Sequence, residues 1–134
     1  MSEFKARHSL ERLGDALDRL DEALAAPETD GLTLDATIQR FEFVIELYWK
    51  TLKRLLELEG VSTTTPREAL QGAFQAQWID DETVWLQMLR DRNESSHIYD
   101  EAAARRIYEH IRNYAPRLRQ THRFLTERLA RQSG

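Results

Sequence analysis

The sequence predicts an all-α protein, an up-and-down four-helix bundle with an additional short helix, and three observations carry that prediction. Leu, Ala, Glu, Arg and Gln, all strong helix formers, make up much of the 134 residues. Only five Gly and three Pro are present to make turns. Apolar residues recur at alternating steps of three and four over long stretches, which gathers them on one face of a helix. A chain of this length is sized for one compact domain, residues 1–134, with enough material to bury a core.

Leu10, Leu13, Leu17, Leu20 and Leu24 form one stripe along a first helix, which the Pro27 to Gly31 stretch ends. A longer stripe follows at Leu34, Ile38, Phe41, Ile45, Tyr48, Leu52 and Leu55, widened by Val44, Leu47 and Leu56. This second helix should cross the whole domain and stop at Gly60, before the β-branched and polar run Val61 to Thr65. Thr65-Pro66-Arg67-Glu68 reads as a helix start: Thr65 caps, Pro66 fits the first helical position, and Glu68 reaches back to close a capping box. The short third helix runs to Gln75.

Asp80 or Asp81 can cap a fourth helix with Val84, Trp85, Met88 and Leu89 on its apolar face. Asn93 to Ser96 break that pattern. A last helix begins near Asp100 and runs through Ile107, Ile111, Tyr114, Leu118, Leu125 and Leu129. Pro116 lies inside it and predicts a kink or a break, because proline removes a helical hydrogen bond and clashes with the preceding turn.

Composition excludes several classes of function. Without cysteine there is no disulfide framework and no thiolate metal site. Glu3, Lys5, Arg7, Glu11 and Arg12 interrupt the first residues, so Met1 to Leu13 does not read as a signal peptide. No segment approaches the roughly 20 apolar residues needed to span a bilayer. A cytoplasmic protein with no membrane partner is expected. The net charge of -4 opposes binding nucleic acid over the whole surface, and no DNA partner is expected.

The average hides a basic end, with Arg105, Arg106, Arg112, Arg117, Arg119, Arg123, Arg128 and Arg131 against Asp100, Glu101, Glu109 and Glu127. It is either a solvated helix face or an electrostatic path toward RNA or an acidic partner.

The segment richest in chemistry is Asp91-Arg92-Asn93-Glu94-Ser95-Ser96-His97-Ile98-Tyr99. Arginine offers a planar, permanently charged fork for phosphate, and histidine moves a proton near neutral pH. Together they supply what metal-free phosphodiester cleavage needs, although an Arg and a His near a helix end more often serve as caps and solvated surface than as a catalytic pair. On an unbroken helix Arg92 and His97 stand about 140° apart and cannot share a face. Either the chain turns between them or one subunit's Arg92 meets the other's His97.

These residues also resemble a family. Arg92 and His97 match the Arg-x4-His motif of HEPN domains, and Tyr99 completes an Arg-x4-His-x-Tyr form similar to the toxin (HepT-like) subunit of HEPN and minimal-nucleotidyltransferase pairs. The run Phe41 to Lys53 is similar to the family's long-helix signature. Pro66-Arg67 with Ala73-Phe74 resembles its next segment, and Trp85, Met88 and Asp91-Arg92-Asn93 lead directly into the motif. The resemblance implies a helical homodimer and a separate nucleotidyltransferase chain bound outside it.

It also implies two alternative roles. As a metal-independent ribonuclease, the chain would use His97 as general base on an RNA 2'-hydroxyl, Arg92 to stabilise charge on the phosphate and Asn93 to orient the backbone, leaving a cyclic 2',3'-phosphate. The nucleotidyltransferase partner, acting as antitoxin, would then silence the site by AMPylation of Tyr99. As a non-catalytic substrate-binding subunit, the chain would hold a substrate for the partner, with Arg92 gripping a phosphate.

Glu42 and Glu46 lie one helical turn apart and are either solubilising charges or, with Asp91, supports for the motif. Trp49, Trp78 and Trp85 read as core or interface aromatics. His8, His110 and His122 lack ligand spacing, so no metal site and no cofactor are expected, and the missing Gly-rich phosphate loop places nucleotidyl transfer outside this chain.

Overall fold

The computed structural model describes residues 2–27, 31–98 and 100–133. They form a five-helix bundle with no strand among them: α1 (Ser2–Ala25), α2 (Gly31–Leu58), α3 (Pro66–Gln75), α4 (Glu82–Ser95) and α5 (Glu101–Ser133). Helix α2 is central and packs against each of the other four, while α1 also meets α5, and α4 sits between α3 and α5. The leucine stripe of α1 and the long apolar stripe of α2 face this shared core. Phe41, Tyr48, Trp85 and Tyr108 are its largest fully buried side chains. Each contributes on the order of 2–3 kcal/mol by leaving water. No described helix is long and apolar enough to cross a membrane.

The helix ends follow local chemistry. Helix α2 closes through paired bonds, Gly60 N–H to the Glu57 carbonyl and Val61 N–H to the Leu56 carbonyl, with Gly60 in the left-handed region at φ 81°. Helix α3 closes by the same device, Gln77 N–H to Phe74 and Trp78 N–H to Ala73, but with Gln77 at φ 65°. Its start holds Thr65 as the cap, accepting from Glu68 N–H at 3.1 Å. The Glu68 carboxylate accepts from the N–H and hydroxyl of Thr64, one residue earlier than a standard capping box. Asp81, not Asp80, caps α4 by accepting from Val84 N–H, and Asp100 does the same for α5 through Ala103 N–H.

Of the kink or break expected at Pro116, the break is absent, since α5 continues from Glu101 to Ser133. One lost backbone bond is outweighed by the apolar face buried on both sides of it, Ile107, Ile111 and Tyr114 before and Leu118, Leu125 and Leu129 after. A polar tie lies close by: the buried Tyr48 hydroxyl donates to the Leu118 carbonyl at 2.7 Å and joins α2 to α5. Burial pushes the Tyr48 phenol well above its ordinary pKa. On the α1 side, His122 Nε2 donates to the Leu10 carbonyl at 2.8 Å. That approach depends on Gly14, where an added Cβ would lie 3.2 Å from the imidazole.

Part of the basic end is spent on surface pairs within the chain. Arg119 bridges Asp18 and Asp21 of α1 at 2.8 Å each, Arg117 reaches Asp80 at 2.6 Å, and Arg128 reaches Glu59 at 3.4 Å. The apparent excess of positive charge along the sequence is thus matched by carboxylates distant in the chain.

Candidate functional site

Buried Trp85 and Met88 fix the rotation of α4, and the same face continues one turn later as Asp91, with Arg92 and Ser95 at its margin. Asp91 is only 4% exposed. Its Oδ2 accepts from the Tyr114 hydroxyl at 2.6 Å and from His110 Nδ1 at 2.9 Å, tying α4 to α5. Burial, and then the hydrogen bond to Asp91 and its negative charge, push the Tyr114 phenol far above its ordinary range.

Arg92 turns toward α2 and donates from Nη2 to Glu46 Oε2 at 3.1 Å. Its Nε is buried and meets no acceptor among the described residues. Glu46 also accepts from Trp49 Nε1 at 3.2 Å and pairs with Lys50 at 3.3 Å. Burial pushes the Glu46 carboxyl up, but the bonds from Trp49 and Lys50 and the charges of Arg92 and Lys50 outweigh it and hold the group below the usual carboxylate range. The Ser95 hydroxyl sits between two acceptors, the Glu42 carboxylate and the Arg92 carbonyl. Facing turns of α2 and α4 thus share one polar seam, and a hollow of about 320 Å³ opens beside it between Asp35, Gln39 and Glu42 of α2 and Ser95, Ser96 and Ile98.

The helix persists through Asn93 to Ser95, so the chain turns later than their polarity suggested. Ser96 is the C-cap, His97 N–H bonds the Glu94 carbonyl at 2.9 Å, and the chain leaves the helix there. Asn93 and His97 are exposed, whereas Arg92 is half-buried against Glu46. No hydrogen bond joins Arg92, Asn93 and His97 among the described residues. Tyr99 lies outside the described residues.

The network around Asp91 is not apparent from residue order. His110 and Tyr114 stand one helical turn apart, a spacing that marks a polar pair, but Tyr114 also fits the core stripe and neither residue neighbours Asp91 in the chain. No group of three or more His, Cys, Asp or Glu side chains able to hold a metal occurs among the described residues.

A helical bundle with a polar seam between its central helix and α4 defines the class, and comparison with known proteins makes it specific. Residues 8–127 match the family described as nucleotidyltransferase substrate binding protein like, and the chain belongs to that family. A protein of Thermus thermophilus with a known crystal structure superposes with a TM-score of 0.76 at 32% identity, over 87% of this chain and 98% of that one. A Haemophilus influenzae protein, whose structure is described as revealing the fold of a substrate binding domain of a nucleotidyltransferase, superposes with a TM-score of 0.63 at 27% identity over 96% of each chain. The chain is also 33% identical over 82 residues to a Haemophilus influenzae protein named probable ribonuclease HepT. That match takes in 58% of this chain and 56% of the relative, so this chain spans little more than half the relative's length.

Proposed function

We propose that this chain is the substrate-binding subunit of a two-chain nucleotidyltransferase, with the transfer chemistry on a separate minimal nucleotidyltransferase chain. The observation that carries this reading is the Arg92–Glu46 pair beside the polar hollow. A guanidinium already oriented by a carboxylate, on the same α2–α4 seam as Ser95, is suited to hold an anionic group without acting as an acid or base. The family match over residues 8–127 and the shared fold support the same reading. In it, Glu42 and Glu46 hold Ser95 and Arg92, and Asp91 anchors the helix that carries them. The subunit works in the cytoplasm as a homodimer, the nucleotidyltransferase docks outside that dimer, and residues 1–134 act as one domain.

A second reading is favoured by the relative named a ribonuclease and by the exposure of His97 where the chain leaves α4. Here two copies meet so that Arg92 of one and His97 of the other flank an RNA phosphate. His97 removes the 2'-hydroxyl proton, Arg92 balances the phosphate charge, Asn93 orients the backbone, and AMPylation of Tyr99 by the partner silences the site.

The test combines the purified chain with a minimal nucleotidyltransferase from the same organism and labelled ATP, measuring complex formation and nucleotidyl transfer. A stable complex is expected, with transfer reduced about tenfold or more by Arg92→Ala, the loss of one charge-assisted contact. Failure of the two chains to associate would refute the subunit role. Cleavage of RNA by the chain alone in EDTA, abolished by both Arg92→Ala and His97→Ala, would put the ribonuclease reading in its place.

A further inference from the structure

Asp91, His110 and Tyr114 form a second polar cluster on the side of α4 that meets α5, whereas the Arg92–Glu46 seam lies on the side that meets α2. The buried Asp91 carboxylate takes two bonds on one oxygen, from His110 Nδ1 at 2.9 Å and from the Tyr114 hydroxyl at 2.6 Å. The His110 side chain is 33% exposed, so its ring bridges the interior and the surface. A carboxylate only accepts, so Nδ1 carries the hydrogen and Nε2 the lone pair. Nε2 makes no hydrogen bond among the described residues. A buried carboxylate on one ring nitrogen and nothing on the other is an arrangement that activates histidine as a nucleophile. The carboxylate balances the positive charge that the ring gains when Nε2 forms a bond.

The surrounding charge selects the electrophile. Arg90 immediately precedes Asp91 on α4, and its positive charge reaches the Tyr114 phenol. Arg106 stands one helical turn before His110 on α5, which makes the two neighbours on the helix surface. Both arginines are exposed, and neither forms an ion pair among the described residues. Glu94 and Glu109, one turn away from them on α4 and α5, pair with neither. Two uncommitted guanidiniums beside a nucleophilic nitrogen favour a phosphoryl group over an uncharged acyl group, because the arginine fork matches phosphate oxygens and offsets their repulsion of the attacking lone pair. The other histidines lack this setting. His8 and His97 are exposed without a carboxylate partner among the described residues, and His122 spends Nε2 on the Leu10 carbonyl.

We propose that His110 is a phosphoryl-accepting histidine, modified at Nε2 by a donor of the phosphoramidate class, with Arg90 and Arg106 holding the phosphoryl oxygens. The Nε2 lone pair attacks phosphorus, and the Nε2–P bond forms as the donor's P–N bond breaks. The donor's nitrogen, protonated at neutral pH, departs as ammonia with the electron pair of the broken bond. Nδ1 keeps its hydrogen throughout, and Asp91 balances the cationic ring. Tyr114 is a positioning residue, since it acts on the carboxylate alone. The site lies across α4 from Arg92 and does not depend on the subunit role.

Incubation of the purified full chain with potassium phosphoramidate at neutral pH tests this, with peptide mapping by mass spectrometry under alkaline conditions, where phosphohistidine survives, and after acid, where it is lost. Phosphorus NMR separates attachment at Nε2 from attachment at Nδ1. One acid-labile phosphoryl group should appear at His110 Nε2, about tenfold or more faster than at His8 or His97, the difference made by one charge-assisted contact in the transition state. Arg90→Gln and Arg106→Gln should each slow it about tenfold for the same reason. Asp91→Asn should slow it about tenfold or more while leaving His8 labelling unchanged. Circular dichroism identifies the folded variants, and the two exposed arginine positions keep the test valid even if Asp91→Asn unfolds. Absence of a phosphoryl group at His110 in the folded chain would overturn the proposal. Attachment at Nδ1, a rate no greater than at His8 and His97, or a rate indifferent to both arginines would overturn it as well.

Discussion

Tyr114→Phe removes a single oxygen from the buried Asp91–His110–Tyr114 network and should destabilise the fold by about 2 kcal/mol, because hydrogen bonds to charged groups contribute more than neutral ones. The bond is short, 2.6 Å, and its acceptor is 4% exposed, so water cannot readily replace the lost donor. Asp91→Ala takes the acceptor from both Tyr114 and His110 and should cost about 3 kcal/mol. The double variant should cost about 1–2 kcal/mol less than the sum, since both substitutions remove the same bond. Urea denaturation followed by circular dichroism at neutral pH measures all four proteins, and unchanged slopes would show that only stability has moved.

The same tyrosine gives a pH test. An unfolded tyrosine loses its proton near pH 10, roughly, whereas Tyr114 in the bundle holds its proton to higher pH. Above that point the unfolded state binds fewer protons than the folded one, so stability is fully present below pH ~10 and falls as pH rises, by about 1.4 kcal/mol per unit. Tyr48 acts in the same direction, so Tyr114→Phe should roughly halve the alkaline slope contributed by the pair. A Tyr114→Phe protein within about 0.5 kcal/mol of wild type, or additive costs in the cycle, would refute the assignment of this network as the anchor of α4.

Gln77→Gly should stabilise the fold by about 1 kcal/mol, seen as a higher urea midpoint, because glycine accepts the left-handed conformation that Gln77 is forced to adopt. Thr65→Ala should lower stability by about 1 kcal/mol in the same assay through loss of the α3 cap. Glu46→Ala should change stability by less than about 1 kcal/mol, since the pair with Arg92 is about one-third exposed on each side. It should nevertheless reduce Arg92-dependent transfer about tenfold in the two-chain assay, because Arg92 loses the group that orients it.

Much of the fold is legible in the sequence because its signals are local. The leucine stripe of α1, the long stripe of α2, the Thr65-Pro66 start and the Gly60 stop each depend on residues within a few turns of one another. The exceptions arise where a distant contact outweighs a local preference. Pro116 does not end α5, since the helix buries apolar side chains on both sides of it, and Asn93 to Ser95 stay helical while Ser95 lies against Glu42. The basic end reads as a surplus of charge because its counterions, Asp18, Asp21, Glu59 and Asp80, lie far away in the chain.

The candidate site divides along the same line. Residue order alone marks Asp91, Arg92, Asn93 and His97 as the segment with chemistry, and it places Glu42 and Glu46 one turn apart on α2. Only the packing of α4 against α2 and α5 decides that Glu46 meets Arg92 and that Asp91 is buried under Tyr114 and His110. Helix periodicity is written into neighbouring residues, whereas a contact between helices depends on the rotation and depth at which each one settles, which the whole core sets together.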